Sequence, residues 1–266
     1  MTAQRGVDLL SSHGPLARSR EADAFFAALD ATSPNSLTAC DGWTAHEVTA
    51  HLAAVAAEIS RHLVPLVEGQ PIPVTATFEE REPPFRALDD STLRQRLEVE
   101  ERAVRQALDR ALTLDPDAVI PWTGRHMVVA NFIPHLRNEF ALHRWDIVGD
   151  DPVSYELLAQ AELTEHAISV LGRILLVRGI EHDPGHGADF DVRLWSAGAP
   201  DVRLRMVGGS GALELGDNEI SEADVELDAA ARTLVIWGRR PNPPQRVVSR
   251  LPAADLARLQ ALLSGY

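Results

Sequence analysis

The sequence predicts a mainly α chain that finishes in α+β: a helical bundle over residues 1–180, then a small α+β domain over residues 188–266. Three observations predict it. Apolar residues recur with a 3.6-residue period in successive segments up to about residue 178, marking one buried face per helix. A Pro- and Gly-rich stretch, EHDPGHGAD (181–189), then interrupts the pattern. Beyond it, the runs DVRLWS, DVRLRMV, GALELG and ADVELDA alternate apolar and polar residues, the period of half-buried strands.

Each element has its own signals. Residues 18–31 form a short amphipathic helix stopped by SPNS. Residues 45–67 form a second; Thr44 with Glu47 three positions on fits a capping box, and Val48, Leu52, Val55 and Ile59 give one apolar stripe. Residues 70–90 read as a proline-rich connection. Asp90 or Ser91 caps a third helix over 92–112, with Leu93, Leu97, Val104 and Leu108 inward. A fourth covers 127–148, kinked or restarted at Pro134. Asp151 and Pro152, as N-cap and first helical residue, open a fifth over about 153–178. After the linker come the four strands, with helices at 230–240 and 253–265.

Composition narrows the function. With 266 residues, 45% of them hydrophobic, the chain can bury a core without covalent staples. Its one cysteine excludes an internal disulfide and multi-cysteine metal centres. A net charge of −14 excludes broad nucleic-acid binding, which needs a basic face. It also requires that an anionic ligand be met by a local cluster of arginines. The apolar runs, such as that around 174–177, fall far short of the ~20 residues of a membrane span. The first residues contain no apolar run suited to a signal peptide, so a cytoplasmic protein with small-molecule partners is expected.

The chemistry-bearing pattern lies in the fourth helix. Glu139 and His143 stand four residues apart, so at ~100° and ~1.5 Å per residue they leave the same face one turn apart. A carboxylate and an imidazole so placed can reach one metal ion. The third ligand must come from another helix, and His51 is the candidate because its alanine-rich surroundings permit close packing. Two histidines and a carboxylate leave a coordination position open, the pattern of a catalytic zinc site. Nickel and ferrous iron accept the same donors. From spacing alone, Glu139 and His143 read first as a solvated pair and His51 as a buried, hydrogen-bonded histidine. HEVTAH (46–51) is no zincin motif, since His46 and His51 lie ~140° apart around the helix.

The neighbours read structurally. Trp43 is a hydrophobic staple, Glu47 the partner of the Thr44 cap, and Cys40 a small buried residue. Asp146 serves the helix end or hydrogen-bonds a metal histidine. His135, four before Glu139, either joins the metal face or is turned away by Pro134. Arg137 and Arg144, off the metal face, make a domain contact or lie at the surface. The His182, Asp183, His186 and Asp189 group is linker.

Three segments carry a family resemblance. CDGWTAHEVTAHLA (40–53) and NEFALHRWDI (138–147) resemble the two metal-binding segments of the mycothiol-dependent maleylpyruvate isomerase family, a branch of the DinB-like metal-binding bundles. ELDAAARTLVIWGRRP (226–241) resembles that family's sterol-carrier-protein-like C-terminal domain. The resemblance implies a DinB-like four-helix bundle followed by a sterol-carrier-like α+β domain. It implies a divalent ion, zinc first, held by His51, Glu139 and His143. It implies mycothiol as thiol cosubstrate. It also implies a catalytic and cofactor-binding role for Arg239, pointing from the small domain to the metal cleft. Read from the residues alone, Arg239 is a helix C-terminal charge. The reactions left open are isomerisation or thiol transfer by a metal-bound thiolate and hydrolysis by metal-bound water; a non-enzymatic small-molecule or metal-binding protein is the remaining alternative.

Overall fold

A computed structural model describes residues 16–216, 222–241 and 244–264; the side chains of 171–175 and 244 are outside that description. The first fifteen residues, including most of the segment read for a leader, lie outside the described residues. Helix α1 is Arg20–Asp30, capped by Ser19. Helix α2 is Ala45–Glu68, opening on the complete Thr44–Glu47 capping box. The proline-rich connection contains two single turns, α3 (Phe78–Arg81) and α4 (Pro83–Arg86). Helix α5 is Asp90–Leu114 and starts earlier than expected, because Asp89 and not Asp90 or Ser91 is its cap: Asp89 Oδ1 accepts from Thr92 N at 3.0 Å.

The fourth predicted helix needs correction. Residues 119–128 form a hairpin, β1 (Val119–Trp122) with β2 (Arg125–Val128), and a 3-10 turn covers Val129–Asn131. Helix α6 begins only at Phe132 and runs to Val148, so Pro134 sits in its first turn and kinks nothing. The hairpin turn is Thr123–Gly124, both with positive φ (42° and 76°), the two-residue geometry that suits the strand twist. The fifth predicted helix is two, α7 (Pro152–Leu158) and α8 (Ala161–Glu181); Asp151 caps the first, its carboxylate accepting from Ser154 N.

The C-terminal part is a five-stranded mixed sheet in the order β5-β4-β3-β6-β7. Its strands are β3 (Phe190–Trp195), β4 (Asp201–Val207), β5 (Ser210–Gly216), β6 (Val225–Leu227) and β7 (Val247–Ser249), the last unforeseen. Helices α9 (Ala229–Ile236) and α10 (Ala253–Leu263) accompany it. The predicted 230–240 helix thus stops at Ile236. Gly238 at φ 74° ends it: Gly238 N donates to Val235 O and Arg239 N to Leu234 O, so Arg239 lies beyond the helix and not at its last turn.

The eight positions predicted to face inward on α2 and α5 are all buried. One apolar cluster joins α2, α5, the hairpin and Phe132; a second joins α1, α2, α5 and Phe140; a third runs from α6–α8 across the sheet to α9 and α10. No helix among the described residues is long and apolar enough to cross a membrane.

The approach of α8 to α10 depends on Gly179. A Cβ there would stand 2.0 Å from the Leu262 carbonyl oxygen, which is backbone and cannot swing aside. Alanine would gain about 1 kcal/mol of helix propensity. Overpacking costs about 1–3 kcal/mol and wins, since a whole helix must move. Gly179→Ala is therefore expected to lower the urea midpoint; an unchanged or higher midpoint contradicts this packing.

Candidate metal centre

The start of α2 is fixed by its capping box: Thr44 N donates to Glu47 Oε2 at 2.6 Å and Glu47 N to Thr44 Oγ1 at 3.4 Å. His51 follows about two turns later, with Ala50, Ala53 and Ala54 buried around it, so α2 can meet α6 closely. Helix α6 supplies Glu139 and His143 from one face. All three side chains are buried, and one donor atom from each lies within 4.8 Å of the other two. His51 Nε2 stands 3.4 Å and His143 Nε2 3.5 Å from Glu139 Oε2.

These separations suit a shared ion better than direct ion pairs. Charged N–H···O bonds close to ~2.7–2.9 Å. Donors bound ~2.1 Å from one tetrahedral ion stand ~3.4 Å apart. The donor set, two imidazoles and a carboxylate, is that of open zinc sites.

Each imidazole is also oriented from behind. His51 Nδ1 bonds Glu82 Oε1 at 2.7 Å, and Arg86 Nη2 donates to the other oxygen of Glu82 at 2.7 Å. His143 Nδ1 bonds Asp146 Oδ2 at 2.9 Å. Asp146 is in turn clamped by Arg239, whose Nε and Nη2 donate to its two oxygens at 3.1 and 2.8 Å. Cys40 completes the cluster: its thiol donates to Asp146 Oδ2 at 3.1 Å and accepts from Arg239 Nη2 at 3.0 Å. A carboxylate on each Nδ1 keeps the proton there and leaves Nε2 for the common point.

Burial would raise the Glu139 carboxyl, but the imidazoles of His143 and His51 beside it hold it well below its usual range. Burial would lower His143, yet Asp146, Cys40 and Glu139 raise it well above 6.5. Asp146 is held low against burial by the charge of Arg239 and the bond from His143. Beside the trio, burial keeps His135 uncharged, its pKa lowered to about 4, and His166 likewise at about 3. Trp122 Nε1 donates to His135 Nε2 at 3.2 Å, and His135 Nδ1 meets His166 Nε2 at 3.3 Å.

A cavity of about 690 Å³ is lined by two of the three, His51 and Glu139, together with Trp122, His135, Arg81 and Arg125. The volume suits a small-molecule site.

The structure thus brings His51, Glu139 and His143 together. Arg239 reaches from the small domain to the bundle, where its guanidinium sits behind His143 on Asp146; it does not appear among the described residues lining the cavity. Trp43 packs 5.3 Å from the His51 ring, more than a staple. His135 is not turned away but lines the cavity, its Nε2 3.7 Å from Glu139 Oε1. Arg137 ties α1 to α8 through Glu21 and Glu162, and Arg144 binds Asp151. Glu82, Cys40, Arg81 and Arg125 were missed as site residues. The only local hint was the Thr-Gly pair before Arg125, a weak hairpin signal.

Comparison with known proteins gives the family and the fold. A family model described as the mycothiol maleylpyruvate isomerase N-terminal domain matches residues 16–148, half of the chain. No curated protein sequence matches the chain. The fold is similar to the crystal structure of the mycothiol-dependent maleylpyruvate isomerase: 15% identity, TM-score 0.59, 87% of this chain and 90% of that one covered. A histidine-to-alanine mutant of that enzyme gives 14% identity and TM-score 0.60 over the same shares. The matched segment holds the paired helices and all three converging donors, and by it the chain belongs to the mycothiol-dependent maleylpyruvate isomerase family.

Proposed function

We propose that this chain is a divalent-metal enzyme that uses a low-molecular-weight thiol, mycothiol, against an electrophilic small molecule. The reaction class is cis–trans isomerisation of maleylpyruvate-like substrates, or thiol transfer. The observation that carries the reading is the convergence of His51, Glu139 and His143, two of which line a cavity, with each imidazole oriented by a buried carboxylate. Zinc suits these donors. A bound divalent ion supplies a lowered thiol pKa, from ~8.5 when free, so that thiolate is present at neutral pH. A cytoplasmic setting, where thiols stay reduced, suits such a reagent.

The chain's own residues do the rest. Glu82 and Asp146 hold the Nδ1 protons, so both Nε2 lone pairs would be free to hold a divalent ion, whose charge Glu139 would offset. Phe78 and Trp122 make the wall apolar, and His135 adds an uncharged polar group. Arg239 is a positioning residue here, because its charge is engaged by Asp146.

Metal analysis of protein purified with zinc, followed by calorimetric titration with mycothiol, tests the reading. Stoichiometric zinc and zinc-dependent thiol binding are expected; protein without stoichiometric metal refutes it. Arg239→Ala is expected to weaken zinc about 10–100-fold by freeing Asp146, as loss of such supporting partners does elsewhere. Arg239→Lys should restore only part, since lysine lacks the two-pronged fork. Unchanged zinc affinity in Arg239→Ala argues against the positioning role.

A further inference from the structure

Two carboxylates stand behind the imidazoles of the trio, and each is met by an arginine. Asp146 meets Arg239. Glu82 meets Arg86 within one turn of chain: prolines open α4 with Glu82 as its cap, so Glu82 and Arg86, four apart, project from the same side. Arg86 Nη2 and Nε both donate to Glu82 Oε2, at 2.7 and 3.2 Å, while Glu82 Oε1 holds His51 Nδ1. The Glu82 side chain is 5% exposed and that of Arg86 33%, so the carboxylate is sunk and its counter-charge lies nearer to water. Arg86 is not among the described residues lining the cavity.

The guanidinium is held on two further sides. It lies 5.0 Å from the Trp43 ring centre, and the Trp43 ring lies 5.3 Å from that of His51. Its Nη1 is 3.6 Å from Glu47 Oε1. Glu47 has its own partners: it sits in the first turn of α2, and Thr44 N and Oγ1 both donate to its other oxygen. Arg86 therefore serves chiefly as the counter-charge of Glu82. The sum of charges gives this a consequence. A divalent ion held by His51, Glu139 and His143 keeps one positive charge after Glu139 is counted. Two uncancelled carboxylates behind the imidazoles would make the centre net negative, in a chain whose own net charge is −14.

We propose that Arg86 is the positioning and charge-setting residue on the His51 side of the metal centre: it holds Glu82 against His51 Nδ1 and cancels its charge, so that the loaded centre stays cationic and prefers an anionic ligand to a neutral one. This rests on the metal reading of the trio and goes beyond it, since the preference is assigned to a side chain outside the cavity. Burial makes the arrangement effective. With Glu82 and His51 out of water, a charge one group away is felt far more strongly than in bulk solvent.

The probe is azide, with neutral imidazole as control, titrated into cobalt-substituted protein and followed by the visible cobalt spectrum. Cobalt affinity is read separately by chelator competition. Arg86→Gln is expected to weaken azide about threefold or more and imidazole less than about twofold. It should also weaken cobalt about tenfold, through the loosened Glu82. Arg86→Lys keeps the charge without the fork, so azide should return to within about twofold of wild type while cobalt recovers only in part. Glu82→Gln should act on azide with the opposite sign, tightening it about threefold or more while weakening cobalt, because Arg86 is then uncancelled. Arg61→Gln removes the same charge ~15 Å further along α2, where Arg61 ties Glu58 and Val74 O, and should change either ligand less than about twofold. Circular dichroism checks folding; if Arg86→Gln does not fold, the sign of the Glu82→Gln effect decides. Unchanged azide affinity in Arg86→Gln, equal losses of azide and imidazole, weaker azide in Glu82→Gln, or the same effect from Arg61→Gln overturns the proposal. Wild-type protein that takes up no cobalt overturns the metal reading and the proposal with it. Cobalt uptake with azide binding indifferent to Arg86 and Glu82 overturns the proposal alone.

Discussion

His143→Ala protein is expected to purify with less than a tenth of the wild-type zinc while keeping its helical circular-dichroism signal. The expectation follows from the site's construction. His143 supplies one of three converging donors and is the only one oriented by Asp146. Removing a partner that merely orients a ligand already costs about 10–100-fold in metal affinity, and removing the ligand itself costs at least as much. His51→Ala should behave alike; Asp146→Asn should show the smaller loss. The fold survives because the apolar clusters around α2 and α6 do not rely on these rings.

The affinity should also depend on pH in a set direction. In ion-free protein His143 stays protonated well above 6.5, because Asp146, Cys40 and Glu139 outweigh burial. Zinc must displace that proton, so binding releases protons at neutral pH and tightens as pH rises. The raised value also stabilises the ion-free fold below about pH 6.5, and that contribution is lost as pH climbs through the folded-state pKa. Zinc affinity independent of pH between 6 and 8, measured in chelator-competition titrations, contradicts this account.

Asp183→Asn is expected to destabilise the C-terminal half by about 3–5 kcal/mol, the usual cost of orphaning one member of a buried ion pair. Asp183 accepts from Arg258 Nε and Nη2, both at 2.8 Å, and from Gly185 N and Gly187 N at 2.9 and 3.1 Å. It joins the end of α8 to α10 and shapes the turn into β3. Against a typical total of ~5–15 kcal/mol the loss is large. The bond from Arg258 brings its carboxyl down to about 2 from 3.8. A depressed carboxyl stabilises fully above its unfolded value and less as pH falls through the folded one. Wild type should therefore lose stability between about pH 4 and pH 2, and the asparagine variant should lack this part of the acid slope. Urea midpoints within ~0.5 kcal/mol of each other at pH 7 would show the pair to be dispensable.

What the sequence determined by itself was whatever a short stretch of chain can encode. The stripes of α2 and α5 specify their buried faces, because a 3.6-residue period leaves one face apolar. Thr44 and Glu47 specify a helix start, because both bonds of the box close within four residues. Glu139 and His143 share a face by helix geometry alone, the alanine-rich surroundings of His51 made it the third candidate, and the family segments pointed to the same three. The Pro- and Gly-rich turn at 181–189 marked where helical periodicity gives way. The hairpin at 119–128 was lost to the helix pattern of its neighbours, since strands of four residues carry too few alternations to register.

Only tertiary structure decided what lies beyond one element. Glu82 reaches His51 from 31 positions away, and Cys40, Asp146 and Arg239 meet across separations of 106 and 93. No spacing rule covers such contacts, because they depend on where separate helices and the sheet come to rest. The same physics decided Arg239. From its place in the chain alone it reads as a helix C-terminal charge, but a buried Asp146 needs a counter-charge, and Arg239 supplies it. The folding of the proline-rich connection and the hairpin likewise brings Arg81 and Arg125 to the cavity that Trp122 lines.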